Sequence, residues 1–257
     1  MRLGEFKMQR YIKYELLNSF GNFFSILFGI IFPILMTLLF YFIFNQQIPA
    51  EGMEQFSVQL FVTNLLISPL AIIFIGFASL FSQEIEKEIT VRMSLFGYSE
   101  KKQMLAKFVA QSIMAALSMT IYAVVVIPIL KIPAPSFFGL SVFLIGIFLL
   151  SFSLFLAAYG LSLLLKKFSI TFGVVMSVYF LIMILSGMMG IQTNQLPKPI
   201  QGIAKLLPTT HMIQDIPKLW EKNRYNLMPM IQATLFLLAL TVLIYFAGIH
   251  SKKRTHK

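Results

Sequence analysis

Residues 132–165 read IPAPSFFGLSVFLIGIFLLSFSLFLAAYGLSLLL, bounded by Lys131 and Lys166, without a single Asp, Glu, Lys or Arg. An α-helix rises 1.5 Å per residue, so about 20 apolar residues cross the roughly 30 Å of hydrocarbon in a bilayer. Outward from this stretch, residues 16–50, 55–83, 108–130, 168–197 and 225–251 are equally free of charge. The six windows place spans near 23–44, 57–81, 105–130, 138–165, 169–190 and 228–250. The fold they predict is an all-α membrane protein. It comprises an N-terminal cytoplasmic interfacial helix over 1–22, a six-span domain over 23–250 and a basic cytoplasmic tail over 251–257.

Composition agrees. Hydrophobic residues make up 58% of the 257 and charged ones 12%, about half the share usual in soluble domains. The chain has no cysteine, which excludes disulfides and thiolate metal sites. The first apolar window runs past Pro33 to Phe44 without a small-residue cleavage site, and reads as an uncleaved span. The net charge of +11 would suit nucleic acid, but its distribution is topological. Fifteen of the 21 Lys and Arg, Lys257 among them, fall on the side holding both ends. Lys131, Lys198, Lys205, Lys218, Lys222 and Arg224 fall on the other. That bias places both termini in the cytoplasm. A multi-pass protein of a bacterial cell membrane, with lipids and no nucleic acid as partners, is the expectation.

Within 1–22, Leu3, Phe6, Tyr11, Tyr14, Leu17 and Phe20 alternate with charge, although Arg10 and Lys13 interrupt the apolar face. A helix lying in the interface and leading into the first span is expected. Pro33 and Pro69 fall inside spans, where each removes a backbone hydrogen bond; the freed carbonyl must face protein or water. The loop SQEIEKEITVRMSLFGYSEKKQ, 82–103, is the only long cytoplasmic connection between spans. Ile85, Ile89, Met93 and Phe96 form one helical stripe, and Glu88 and Arg92 stand at the spacing of an i,i+4 pair. Gly97 breaks the pattern and Ser99 caps the next helix. This predicts a helical elbow with an exposed charged turn.

Residues 191–226 carry Pro197, Pro199, Pro208 and Pro217, and a short apolar face of Met212, Ile213, Ile216, Leu219 and Trp220. A loop this apolar is expected to re-enter the outer leaflet as a helical hairpin. Trp220, the only tryptophan, suits an interfacial anchor.

Catalytic patterns are absent. Asp215 is the only aspartate, and His211, His250 and His256 form no HExxH. There is no GxSxG and no GxxxxGK[ST], so the chain is not expected to be an enzyme or to hydrolyse ATP itself. The mid-span polar residues Asn64, Ser68, Gln111, Ser112, Ser186, Gln232 and Thr234 are neutral, and serve first as interhelical hydrogen-bonding groups. Carriers driven by an ion gradient place ionisable groups or broken helices at the midplane. Force applied from outside the membrane fits better.

In order, spacing and sidedness these segments resemble the permease of a type-2 ATP-binding-cassette exporter, whose members export drugs, peptides, lipids or polysaccharides. Glu86-Lys87-Glu88-Ile89-Thr90 resembles the family's ERExGT-like start, departing from it at Ile89, where members often have glycine. Leu95-Phe96 resembles its leucine pair, Gly97-Tyr98-Ser99 its small-residue turn and Lys101 to Lys107 its basic helix. Leu207-Pro208-Thr209-Thr210-His211 resembles its Leu-Pro-x-Thr segment. The resemblance implies a coupling helix docking into an ATPase through Phe96, Gly97, Tyr98, Ser99, Glu100 and Lys101. It also implies an extracellular gate hairpin involving Pro197, Pro208, Thr209, Thr210, His211 and Trp220. Two copies of a separate ATPase, carrying ATP and Mg, and a second permease, identical or paralogous, would complete the transporter; this chain itself would hold no cofactor. Hydrophobic or amphipathic cargo such as peptides, drugs or lipids suits the Phe- and Met-rich spans. Other readings are a non-transporting membrane immunity or scaffold protein, and a channel.

Overall fold

The computed structural model describes residues 2–220 and 225–255, so Lys222, Arg224, His256 and Lys257 lie outside the described residues. The described residues are helical with connecting turns and no strand. The helices are α1 (Arg2–Phe20), α2 (Phe23–Phe44), α3 (Glu51–Glu86), α4 (Ile89–Leu95), α5 (Glu100–Leu130), α6 (Phe137–Leu165) and α7 (Phe168–Ser186). They continue with α8 (Lys198–Ala204), α9 (Pro208–Leu219) and α10 (Met228–Thr255). Among them α2, α3, α5, α6, α7 and α10 are long and apolar enough to cross a membrane. The segments 87–99 and 166–167 meet α1 and the Lys252 turn of α10 at one end of the bundle, the basal end. The segments 45–50, 131–136 and 187–220 meet at the distal end.

Helix α3 is the hub: 94% of its apolar window is buried, against 17% for α2 and for α10. Its 36 residues exceed the expected span 57–81 at both ends. Packing against α2 depends on two distortions. Pro33 has no N–H to offer the Gly29 carbonyl four residues before it. Around it α2 widens into a π-helix over Leu27–Ile31, and the Phe32 N–H reaches back to the Leu27 carbonyl. The Gly29 carbonyl instead accepts the hydroxyls of Ser68 (2.8 Å) and Ser118 (2.5 Å), from α3 and α5. This satisfies inside the protein a group that would cost several kcal/mol if left bare in hydrocarbon. A second π-helix, Leu70–Gly76, follows Pro69 and is buried throughout.

Backbones approach closely where side chains vanish, as expected where lipid supplies no hydrophobic force between helices. A Cβ on Gly29 would lie 2.5 Å from Ile72 Cγ1, and one on Gly160 of α6 would lie 2.6 Å from the Ile244 carbonyl of α10. The mid-span polar residues divide. Ser68, Gln111 (to Ser19 Oγ, 2.8 Å) and Ser186 (with Thr209, 2.5 Å) bond between elements. Asn64 and Thr234 donate to carbonyls of their own helices, and Gln232 is exposed.

Candidate functional site

The basal elbow is built from a short helix between two enforced turns. Helix α3 stops at Lys87, and Glu88 adopts a left-handed backbone (φ 55°, ψ 24°) that redirects the chain into α4. Ile89, the departure from the resembled motif, is an ordinary first helical residue; the left-handed position is its neighbour Glu88. Helix α4 ends in a paired cap: the Gly97 N–H bonds the Ser94 carbonyl (3.0 Å) and the Tyr98 N–H bonds the Met93 carbonyl (3.1 Å). That pattern needs a positive φ at Gly97, which is 88°. Ser99 then precedes α5 as its N-cap residue, though its side chain makes no cap hydrogen bond.

Two sequence expectations fail locally. Ile85, Ile89, Met93 and Phe96 do not form one helical stripe, because the left-handed turn at Glu88 parts Ile85, on α3, from the other three; the first three are half-buried and Phe96 is 73% exposed. Arg92 does not pair with Glu88. That turn places the Lys87 carbonyl within reach, and the Arg92 guanidinium donates to it. The elbow therefore presents Leu95 (83% exposed), Phe96 and the exposed Gly97, Ser99, Glu100 and Lys101 outward, with Tyr98 half-buried behind them.

What holds the elbow was not foreseen. Gln103, buried one turn into α5, donates through Nε2 to the Thr90 carbonyl (3.1 Å), Ser94 Oγ (3.1 Å) and the Tyr98 carbonyl (2.8 Å). Tyr11 of α1 is buried and lies against Tyr98, ring centroids 4.8 Å apart. Burial, with the Glu15 carboxylate beside it, pushes the Tyr11 phenol above its ordinary range, so it stays neutral. The Glu86 carboxylate accepts the Phe168 N–H at the start of α7 (2.9 Å), and Glu100 pairs with Lys252 of α10 (2.6 Å). The elbow is thus tied to α1 and to the basal ends of α7 and α10.

Lys107, the last residue of the basic helix named in the resemblance, is buried. Its ammonium lies 2.7 Å from Glu15 and 2.5 Å from Glu84, all three side chains being at most 6% exposed. Asn18 also donates to Glu84 (3.3 Å). The cluster joins α1, α3 and α5 immediately beside the elbow, seven residues into α5, and not at the middle of the bundle. Helix α1 faces inward with Tyr11, Glu15 and Ser19 and outward with Tyr14, Leu17 and Phe20. Its buried stripe is polar, and its exposed one sets Tyr14, Leu17 and Phe20 among Arg10 and Lys13. Spacing of Glu15, Glu84 and Lys107 in sequence carries no hint of their meeting.

At the distal end, Pro197 stands at the N-cap before α8 and Pro208 is the first residue of α9. The Thr209 hydroxyl meets Ser186 at the end of α7, and the Thr210 hydroxyl donates to the Ala204 carbonyl (2.7 Å). His211 contacts the Lys205 carbonyl (2.9 Å) and lies 3.8 Å from Asp215, which also accepts from Tyr225 (2.7 Å). The bond to Asp215 raises the His211 pKa against its partial burial; Asp215, despite desolvation, is held low by His211 and Tyr225. Thr209, Thr210 and His211 thus form one joint, with Pro197 exposed apart from it. Trp220 is no lipid-facing anchor. It is 4% exposed, donates to the Pro133 carbonyl (2.8 Å) and sits edge-on to Phe61 and Phe143. The Trp220 carbonyl in turn accepts the Ser136 N–H, so the joint is bolted to the α5–α6 turn.

Among the described residues no cluster of His, Asp or Glu could hold a metal ion. No curated protein and no solved structure matches the chain. A family model described as "ABC-2 family transporter protein" matches residues 49–249, from the start of α3 through nearly all of α10. With six helices able to cross a membrane and four-fifths of its length matched, the chain belongs to the ABC-2 family of transporter proteins, as a multi-pass membrane component.

Proposed function

We propose that this chain is the permease subunit of an ATP-driven exporter, and that α4 with Phe96, Gly97, Tyr98, Ser99, Glu100 and Lys101 is its coupling helix. The observation that carries the reading is a stiff elbow displaying bare apolar side chains. Leu95 and Phe96 project at 83% and 73% exposure from a turn whose backbone is fixed by Gly97 and Gln103. Exposed aromatic residues on rigid supports are the usual energetic centres of protein contacts. A separate ATPase, binding ATP and Mg, would seat this elbow in a cleft.

Movement of the elbow would reach the spans through the ties described above. Tyr98–Tyr11 and Lys107–Glu15 lead to α1 and the first span, Glu86 to the fifth and Glu100–Lys252 to the sixth. In this reading the basal end is cytoplasmic, α1 lies in the interface on its Tyr14, Leu17 and Phe20 face, and α8 and α9 form a re-entrant gate outside. Two permeases, each engaging an ATPase copy, would enclose a passage for amphipathic or hydrophobic cargo. The test is co-purification with a candidate ATPase, with ATP hydrolysis measured in vesicles. Association and stimulated hydrolysis that are lost in Phe96→Ala are expected. An ATPase that binds equally well to the altered elbow would refute the assignment.

A further inference from the structure

Helices α5 and α6 meet near the basal end, where Phe108 packs against Phe152 and Phe155 with ring centroids 5.6 and 5.1 Å apart. Toward the distal end a groove of about 690 Å³ opens between them, walled by residues of 116–128 on α5 and of 140–147 on α6, with Phe61 and Leu65 of α3 also lining it. Trp220 lines it too, held against Phe61 and Phe143 while its indole donates to the Pro133 carbonyl.

No charged residue lines the groove, and its two polar side chains are already engaged. Thr120 donates to the Ala116 carbonyl (2.8 Å) and Trp220 to the Pro133 carbonyl (2.8 Å). A polar occupant would give up water there without gaining a partner. The groove lies on helices able to cross a membrane, and its edges Val124 and Leu144 are 68% and 57% exposed. What stands before it is therefore hydrocarbon. Its α5 wall is about 18 Å long at 1.5 Å per residue. One leaflet of a bilayer has about 15 Å of hydrocarbon, half of the whole. Composition and length together fit an acyl chain.

The rim supplies a charge. The turn 131–136 contributes Pro135 to the groove and begins with Lys131. Lys131 is exposed, with neither an ion pair nor a side-chain hydrogen bond among the described residues. It stands beyond the distal end of the α5 wall, where the headgroups of that leaflet lie, and a free cation there complements an anionic lipid.

We infer that the α5–α6 groove is a binding site for an anionic phospholipid of the distal leaflet. One acyl chain lies along residues 116–128, over Phe61 and Leu65, and the headgroup phosphate meets Lys131. The site requires only that these helices span a bilayer, and stands or falls apart from the exporter reading.

Trp220, the only tryptophan, lines the groove and is its reporter. The test places the full chain in phosphatidylcholine nanodiscs and adds phosphatidylglycerol or phosphatidylcholine with brominated acyl chains, which quench indole emission on contact. Half-quenching is expected at a mole fraction about fivefold lower for brominated phosphatidylglycerol. Lys131→Gln should abolish that preference and Lys131→Arg should keep it. Ala123→Phe, which fills the groove, should reduce quenching by both lipids at an unchanged unfolding temperature; Lys131, being exposed, gives a result independent of packing. Equal quenching by the two lipids in the parent chain, or a preference that survives Lys131→Gln, would overturn the proposal. So would an unquenched Trp220 in a parent chain that runs as a dimer, since a second copy would then cover the groove.

Discussion

The Lys107 ammonium lies 2.7 Å from the Glu15 carboxylate, 92 residues away in sequence, and both side chains are almost wholly buried. The same ammonium holds Glu84, so one cation serves two carboxylates. Desolvation makes such a cluster a poor source of net stability, yet removing one member strands the others. Lys107→Met is expected to cost about 3–5 kcal/mol. The triple change Glu15→Gln, Glu84→Gln, Lys107→Met should recover most of that loss. Thermal unfolding in detergent decides it: a triple variant no better than Lys107→Met would assign the loss to packing instead.

Gly97 has φ 88°, and nothing lies within 4 Å of where its Cβ would be, so substitution there strains the backbone without a clash. Gly97→Ala should cost on the order of 1–2 kcal/mol. Gly97→Pro should cost more, since proline fixes φ near −65° and removes the N–H that bonds Ser94. Six spans need not notice either change. Hydrogen exchange should therefore rise in residues 89–103 with the helices 137–186 unaffected; a global rise would show that the elbow is not a separate unit.

Phe96→Ala and Leu95→Ala remove exposed side chains that touch little of the chain itself. Unfolding temperature should be unchanged within error, while affinity for the partner ATPase should fall by about 30-fold for Phe96→Ala, the equivalent of roughly 2 kcal/mol. Gln103→Leu should act on the same affinity indirectly, by freeing Thr90, Ser94 and Tyr98 from their common donor. A calorimetric titration of ATPase against each variant separates the two cases, because the Gln103 variant should add an unfavourable entropy of ordering.

Much of this was legible because hydrocarbon tolerates so little. Charge-free windows marked all six helices that are long and apolar enough to cross a membrane, and Gly97 with Ser99 marked the turn into α5. Pro33 announced an orphaned carbonyl, although not that Ser68 and Ser118, from two other helices, would satisfy it. The elbow's supports were invisible for a different reason. Gln103 resembles any polar residue in a first helical turn, and Tyr11, Glu15, Glu84 and Lys107 acquire meaning only when three helices converge. Trp220 was misjudged because its indole suits a membrane interface as well as it suits the Pro133 carbonyl; only the tertiary fold chooses between them.

Gly160 and Gly248 bring α6 and α10 into backbone contact, a Cβ on Gly248 falling 2.6 Å from the Gly160 carbonyl. Gly248→Leu should force the helices apart and cost about 1–3 kcal/mol, as overpacking does elsewhere. Because Lys252 lies one turn further along α10, its bond to Glu100 should also be lost. Cysteines placed at positions 100 and 252 and treated with a bifunctional maleimide about 8–10 Å long should cross-link efficiently in the parent chain and poorly in Gly248→Leu. Equal yields would show that α10 repacks without moving its basal end.

Acidity should act at the distal joint. The bond to Asp215 holds the His211 pKa above its usual 6.5, while Asp215, despite desolvation, is held below 3.8 by His211 and Tyr225. A raised histidine contributes stability fully below 6.5 and loses it as pH climbs through the raised value. A lowered aspartate contributes above 3.8 and loses it as pH falls through the lowered value. The joint is therefore firmest between 3.8 and 6.5, and loosens on the alkaline side first under ordinary conditions. Trp220, directly after α9 and the only tryptophan, reports on it. The transition followed by Trp220 emission should fall in temperature as pH rises above neutrality, and His211→Gln should remove that dependence. A variant that keeps the same alkaline fall would assign the effect to another group, and would leave Asp215 answering to Tyr225 and Lys218 alone.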